Sequence, residues 1–181
     1  MKEHKVTTVK ASSLILDYNF YPRHQINSQH VADMVRALKV GAELPPVIAD
    51  FASERATDGF HRITAHLKYQ GEDADIKVLF REYANEAEMF LDAVALNAKH
   101  GENLTPYDRA RCIALAEQFE ISSADICAAL LIPEAKAESI REHKMAKFRG
   151  EVVPLKQTCS HLAGENLSKL QMGGMPRAAG P

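Results

Sequence analysis

The sequence predicts an α+β fold in two parts, on two observations. Residues 1–84 alternate between short strand-like stretches and helical stretches, each recognisable by the spacing of its apolar residues. Residues 85–170 show only the helical pattern. A mixed segment followed by a helical one is typical of an α+β domain joined to an all-helical domain. We therefore expect a small mixed sheet with helices, then an all-helical domain, then a disordered tail rich in glycine and proline at 171–181.

The first part is predicted to contain four strands and two helices. Alternating apolar positions mark the first and last strands, and two prolines introduce a further apolar run that is typical of a strand. A glycine follows each of the two helical patterns, which is a common stop signal. The predicted strands are 5–9, 44–51, 55–58 and 74–83, and the predicted helices are 28–41 and 59–71.

Every predicted element of the second part is a helix. The best defined begins at Thr105, a capping residue that is followed by proline at the first helical position and by Asp108 in the first turn. The predicted helices are 85–101, 105–119, 122–132, 133–148 and 150–171.

Composition excludes several classes of protein. Hydrophobic residues make up 46% and charged residues 25%, the balance of a globular protein, and no apolar run is long enough to span a membrane. The charged N-terminus lacks the apolar core of a signal peptide, so we expect a cytoplasmic location. Three widely spaced cysteines without a C-x-x-C pair, and eight histidines without a helical H-x-x-x-H and a third ligand, predict no metal site.

A glycine, a histidine and an arginine meet where the second helix is predicted to begin. The stretch is D-G-F-H-R, with Gly59, His61 and Arg62. The first N–H groups of a helix and its positive dipole end attract anions, glycine allows close approach, and arginine binds phosphate with two hydrogen bonds. The pattern therefore predicts a phosphate site. An ordinary helix start, with Asp58 as the cap and His61 partly buried, fits the same residues.

Two short helices at about 122–147 have the spacing of a helix-turn-helix. In that motif the second helix enters the major groove of DNA. Five basic and two acidic residues between 136 and 149 give a local charge of +3, although the whole chain carries −2. Two adjacent helices of a bundle with a solvated charged face fit the pattern equally well. The candidate DNA-binding residues are Lys136, Ser139, Arg141 and Lys144.

Four motifs in order resemble the ParB/sulfiredoxin superfamily, in particular ParB-like proteins of the partition, StrR-type regulator and phage kinds. They are N-F-Y-P-R, L-P-P-V-I-A-D, D-G-F-H-R-I-T-A-H and A-L-N-A-K-H-G-E-N-L-T-P-Y-D-R-A, within residues 6–145. The resemblance implies a nucleotide-binding α+β domain, with CTP as the nucleotide in partition proteins, and a helix-turn-helix domain that binds DNA. It also implies a homodimer and an origin in a phage or other mobile element.

The resemblance places the nucleotide's phosphates on residues from three of these motifs. They are Pro22, Arg23, Gly59, Phe60, His61, Arg62, Asn97 and His100. In the family's version of the last of these four motifs, an acid and an arginine stand where this chain has Leu96 and His100. The carboxylate that helps hold Mg²⁺ in the family is therefore missing. Phe60 stands where sulfiredoxin has its cysteine, and a phenyl ring cannot be a nucleophile, which excludes sulfiredoxin chemistry.

The sequence thus favours a DNA-binding regulator or partition-type factor with a phosphate-binding first domain. A ParB-superfamily enzyme is the alternative: a CTPase-like hydrolase, phosphotransferase or nuclease with His61 or His100 as general base and Arg62 stabilising the transition state. A protein-binding adaptor without either ligand is a third hypothesis.

Overall fold

The computed structural model describes residues 1–99 and 103–173. Contacts between Cα atoms divide the chain into two units. The first unit is Met1–Tyr21 with Gln25–Met89. The second is Pro22–His24 with Phe90–Pro181, as far as the described residues reach. The division along the chain falls shortly after the boundary that the sequence predicted at residue 84, within a helix rather than before it.

A five-stranded mixed sheet forms the first unit's framework. Its longest strand, β5, pairs in parallel with β3 on one side and antiparallel with both β1 and β2 on the other. Strand β4 pairs antiparallel with β3 and ends the sheet. The strands are β1 (Lys2–Glu3), β2 (Thr7–Lys10), β3 (Val47–Asp50), β4 (Ala56–Asp58) and β5 (Asp75–Glu82).

Two helices, α1 (Ser28–Lys39) and α2 (Phe60–Gln70), pack on each other in the same unit. Buried side chains of α2, including Ile63, meet strand residues such as Val47 and Val78 in one apolar core. The predicted small mixed sheet with helices is confirmed, and the returning strand after the turn at 51–55 is β4. Strand β1 was not predicted, because a strand of two residues has no detectable alternation.

The second unit contains the expected helices up to residue 144. Helix α4 begins with the predicted cap: the Thr105 hydroxyl accepts from the Asp108 N–H, and the Asp108 carboxylate accepts from the Thr105 N–H. The helices are α3 (Glu86–Lys99), α4 (Pro106–Gln118), α5 (Ser123–Leu130), α6 (Glu134–Lys144) and α7 (Lys169–Gly173). Helix α3 begins within the first unit. None of these helices, and no other helix of the described residues, is long and apolar enough to cross a membrane.

The predicted helices 133–148 and 150–171 were wrong for residues 145–148 and 151–154, which are strands. Strands β6 (Met145–Phe148) and β7 (Glu151–Pro154) form an antiparallel hairpin. Arg149 and Gly150 make its two-residue turn, both with positive φ (53° and 89°), as in the turns that suit the twist of paired strands. Pro154 also disfavours a continuous helix because it has no N–H to donate.

After the hairpin the chain forms a 3-10 helix at Gln157–Leu162 and returns along β6. There the N–H of Lys147 donates to the Glu165 carbonyl at 2.8 Å, and the N–H of Leu167 donates to the Lys147 carbonyl at 2.7 Å. A small apolar cluster of Ala146, Leu155 and Leu167 lies between these segments. Of the predicted disordered tail, residues 171–173 end α7 and the remainder lies outside the described residues.

Candidate phosphate site and candidate DNA interface

Gly59 makes the turn from β4 into α2. Its φ is +99°, in the left-handed region that L side chains rarely adopt, and an added Cβ would lie 2.6 Å from Cγ1 of Val47. The N-cap of α2 is Gly59, which has no side chain to cap the helix, whereas the sequence allowed Asp58 to be the cap. The turn therefore requires glycine for two steric reasons.

Arg62 is bound to its own unit. Its guanidinium donates to the carbonyl oxygens of Pro45, at 2.9 Å, and Pro46, and it forms an ion pair with the Asp58 carboxylate. These contacts hold the two prolines before β3 against the start of α2. Asp58 also offsets the charge that would attract a phosphate, so phosphate binding by Arg62 competes with this ion pair.

His61 is a buried hydrogen-bond acceptor. Its Nε2 accepts the N–H of Asn27 at 3.0 Å, and its Nδ1 lies 3.4 Å from the Tyr21 hydroxyl. Because a backbone N–H only donates, Nε2 carries no proton, and the imidazole is neutral with its hydrogen on Nδ1. The proposed use of His61 as a general base requires an open nitrogen, and this arrangement occupies Nε2.

Phe60 is a core residue. Its ring stacks on Tyr21 with centroids 4.0 Å apart and meets Tyr18 edge-on at 5.7 Å. Only 1% of Phe60 is exposed, so its ring offers no surface to a ligand.

The remaining predicted phosphate residues lie in the second unit. Arg23, which is 8% exposed, donates from Nε to Oδ1 of Asn97 at 3.1 Å, and Asn97 donates from Nδ2 to the Ala93 carbonyl at 2.9 Å. The structure therefore brings Arg23 and Asn97 together. Pro22, another residue of the predicted set, directly precedes Arg23 in the chain. His100, the last of the predicted set, lies outside the described residues.

Three further hydrogen bonds hold the segment Pro22–His24 on α4. The N–H and the Nδ1 of His24 each lie 2.8 Å from Oδ1 of Asp108, and the Cys112 thiol donates to the Pro22 carbonyl at 3.5 Å. Burial alone would raise the pKa of Asp108, but hydrogen bonds from His24 and Thr105 outweigh it and hold that pKa below its usual value. Complete burial raises the pKa of Cys112 to about 12, so its thiol stays protonated.

Helices α5 and α6 lie where the sequence predicted the two helices of a helix-turn-helix, and the second helix ends at Lys144 rather than 147. Leu131 occupies the turn position where glycine is usual, with φ 55° and ψ 43°. The Ser122 side chain caps α5 by accepting from the Asp125 N–H at 3.1 Å. Ala137 and Ile140 of α6 are buried, which turns the helix's other faces outward.

The four candidate DNA-binding residues differ in availability. Lys136 and Ser139 are exposed, and Lys144 is half-buried. Arg141 donates from Nε to Glu117 at 3.0 Å and from Nη1 to the Ser123 hydroxyl at 3.2 Å, so it ties α6 to α4 and α5. The sequence spacing had placed Arg141 on the open face, and no local signal points to Glu117, which is 24 residues away.

Metal binding has no visible basis in residues 1–99 and 103–173, where no three His, Cys, Asp or Glu side chains are grouped to hold an ion.

Among solved structures, the chain superposes on the C-terminally truncated partitioning protein ParB of Caulobacter crescentus complexed to the centromeric parS site. The TM-score is 0.52 at 15% identity, over 75% of this chain and 70% of that one. The chain is ParB-like in fold. The resemblance that the four sequence motifs indicated is thereby confirmed for the fold.

Other relatives of this ParB-like chain match more loosely. The same Caulobacter protein complexed with CTP-gamma-S gives a TM-score of 0.47 at 14% identity, over 76% of this chain and 78% of that one. A Pnob8-like ParB-N domain gives 0.46 at 15% identity, over 85% of this chain and 58% of that one.

A curated relative, "Transcriptional regulator NovG" of Streptomyces niveus, is 33% identical over 89 residues. The match includes 49% of this chain but only 27% of NovG, so the chain spans about a quarter of that protein. No family model matches the ParB-like chain.

Proposed function

We propose that this chain binds duplex DNA and acts as a transcription regulator or partition-type factor. The observation that carries the proposal is the α5–turn–α6 unit, whose second helix buries Ala137 and Ile140 and leaves Lys136 and Ser139 open. In a helix-turn-helix the second helix lies in the major groove, where its polar side chains approach base edges and its basic side chains approach phosphates. Two comparisons support this choice. The ParB structure with a similar fold is complexed to the centromeric parS site, and NovG is a transcriptional regulator.

The charges on α6 predict weak binding that salt disrupts. Lys136 and Lys144 face phosphates in this arrangement, whereas the exposed carboxylates of Glu134, Glu138 and Glu142 oppose them. The net charge of −2 provides no general attraction to DNA. Affinity therefore depends on a few local phosphate contacts, each of which releases counterions.

Fluorescence anisotropy with a short labelled duplex over a range of salt concentrations tests the proposal. Lys136→Ala should weaken binding and reduce the slope of log K against log salt by about 0.9, the loss of one phosphate contact. Lys39→Ala is the matched control, because Lys39 is an exposed lysine at the end of α1 in the other unit. Absence of binding even at low salt would contradict the proposal.

We further propose that the first unit binds the phosphates of a nucleotide, CTP by the family resemblance, at the start of α2. The glycine N-cap of α2, required at position 59 by its backbone conformation and by the close approach of Val47, supports this. Arg62 would exchange Asp58 for the phosphate, so binding carries the cost of breaking an ion pair. Thermal unfolding with CTP, ATP and GTP, with and without Mg²⁺, tests it: one nucleotide should raise the melting temperature.

Arg62→Ala is the test variant for this nucleotide experiment, and Arg36→Ala is its matched control. Arg36 is an exposed arginine of α1 that pairs with Asp33, so its loss removes the same charge from the same unit. The nucleotide-dependent shift should vanish in Arg62→Ala and persist in Arg36→Ala. A shift that persists in both would exclude Arg62 as a ligand.

We also propose that the chain forms a homodimer, which sedimentation equilibrium measures directly.

A further inference from the structure

A β-hairpin follows the second helix of the helix-turn-helix with no loop between them. Helix α6 ends at Lys144 and β6 begins at Met145. Strand β7 then packs along α4 within the same unit. The hairpin β6–β7 is therefore built into the helical unit, at the C-terminal end of the helix that is proposed to lie on DNA.

Side-chain packing and backbone pairing hold the hairpin in place. Ala146 is buried beside Leu155 and Leu167, and Phe148 and Val153 pack on the same cluster. On its outer edge β6 pairs with the returning chain through the two hydrogen bonds of Lys147 already described. A hairpin anchored on one face and one edge presents its tip and its other face in a defined position.

The tip of the hairpin carries an arginine at a position whose backbone conformation favours glycine. Arg149 has φ 53° and Gly150 has φ 89°. The first of these two turn positions usually holds asparagine, aspartate or glycine, because a larger side chain is strained there. The Arg149 guanidinium lies 5.2 Å from the centroid of the Phe148 ring, within cation–π range, and the residue is exposed. The turn thus carries a cationic side chain at a position whose positive φ disfavours any side chain.

Lys147 adds a second cation on the face toward α6. Lys147 is exposed, and it lines a groove together with Arg141 of α6 and Val152 of β7. Among the described residues neither Lys147 nor Arg149 forms an ion pair with a carboxylate. Strands of four residues carry the tip about 13 Å from the end of α6, a distance on the scale of a groove width of duplex DNA.

We propose that the β6–β7 hairpin is a second DNA-contacting element, in which Arg149 and Lys147 bind the sugar–phosphate backbone beside the groove that α6 occupies. The inference rests on the proposed DNA binding and extends it to a segment that the sequence pattern had assigned to helix. Two cations on an anchored projection next to the recognition helix suit a polyanion that runs past both elements.

The variant Arg149→Gly tests the inference without threatening the fold. It removes the cation and replaces a strained residue by the one that favours positive φ, so the thermal stability should be unchanged or higher. Its affinity for duplex DNA should fall roughly eightfold at 0.1 M salt, with a salt slope smaller by about 0.9, as expected for one lost phosphate contact. Adding Lys147→Ala should reduce the slope by about the same amount again.

Lys39→Ala and Lys136→Ala complete the experiment. Binding by Arg149→Gly with wild-type affinity and slope, while Lys136→Ala weakens it, would overturn the inference and leave the DNA-binding proposal intact. A wild-type chain that does not bind duplex DNA at low salt would overturn both. Weaker binding by Arg149→Gly at unchanged salt slope would also overturn the inference, because a phosphate contact must appear in the slope.

Discussion

The backbone N–H of Asn27 donates to Nε2 of His61 at 3.0 Å, and this bond joins the start of α1 to the first turn of α2. Asn27 is also the N-cap of α1, since its Oδ1 accepts the N–H groups of Gln29 and His30. One histidine of the Gly-x-His-Arg motif therefore supports the cap of a different helix. The motif is structural at His61 whether or not a phosphate binds at α2.

Replacing His61 should destabilise the first unit through that bond. His61→Ala leaves the Asn27 N–H without its acceptor and opens a cavity, so the free energy of unfolding should fall by about 1–3 kcal/mol. His61→Gln should recover part of the loss, because a glutamine carbonyl can take the place of Nε2. Chemical denaturation of the three proteins measures this. Equal stability of His61→Ala and wild type would show that the bond contributes nothing.

Arg141 is predicted to stabilise the helical unit rather than to bind phosphate. Arg141→Ala removes its hydrogen bonds to Glu117 and Ser123, and since the pair is partly exposed the loss should be only about 0.5–1 kcal/mol. Its salt slope for DNA should equal that of wild type. A reduced slope with unchanged stability would instead make Arg141 a phosphate ligand, as the sequence spacing suggested.

Asp108 should make the second unit sensitive to acid. Its pKa in the folded chain lies below the usual value of 3.8, so its charged form is favoured by folding. That stabilisation is fully present above the unfolded pKa and is lost as the pH falls through the folded pKa. Asp108→Asn should therefore be less stable than wild type at neutral pH, with the difference shrinking below about pH 4. A difference that does not change with pH would contradict this assignment.

The cysteines should react in a definite order. Cys112 is fully buried with a pKa raised to about 12, and Cys127 is also buried, whereas Cys159 is half-buried. A thiol reagent at mild alkaline pH should modify Cys159 first and Cys112 only after denaturant is added, because only an accessible thiolate reacts. Mass spectrometry of the labelled peptides identifies the order. Early labelling of Cys112 in the native chain would show that α4 opens locally.

The fold was predicted correctly where the periodicity of apolar residues and the helix-capping signals were strong. The alternation in β5, the stripe of α1 and the Thr105 cap of α4 all correspond to elements of the structure. The hairpin was missed because Met145–Phe148 continues the charged pattern of α6, and Arg149-Gly150 is a weaker turn signal than Asn-Gly. The two adjacent valines of β7 are β-branched and favour a strand.

The candidate site was predictable as a set of residues but not as a set of contacts. The bond between Asn27 and His61 joins positions 34 apart, and that between Arg23 and Asn97 joins positions 74 apart. Neither separation follows from local pattern, since both depend on how the strands and helices pack. The motif at Gly59 marked the right turn, whereas the engagement of Arg62 by two proline carbonyls had no signal in the sequence.

Hydrogen exchange of the full chain, with and without a short duplex at low salt, tests most directly whether α6 lies on DNA. The account predicts slower exchange in peptides from Glu134–Lys144 on addition of duplex, and in those from the β6–β7 hairpin, with no change in α1. Slower exchange confined to the first unit, or none anywhere while the duplex is bound, would contradict it.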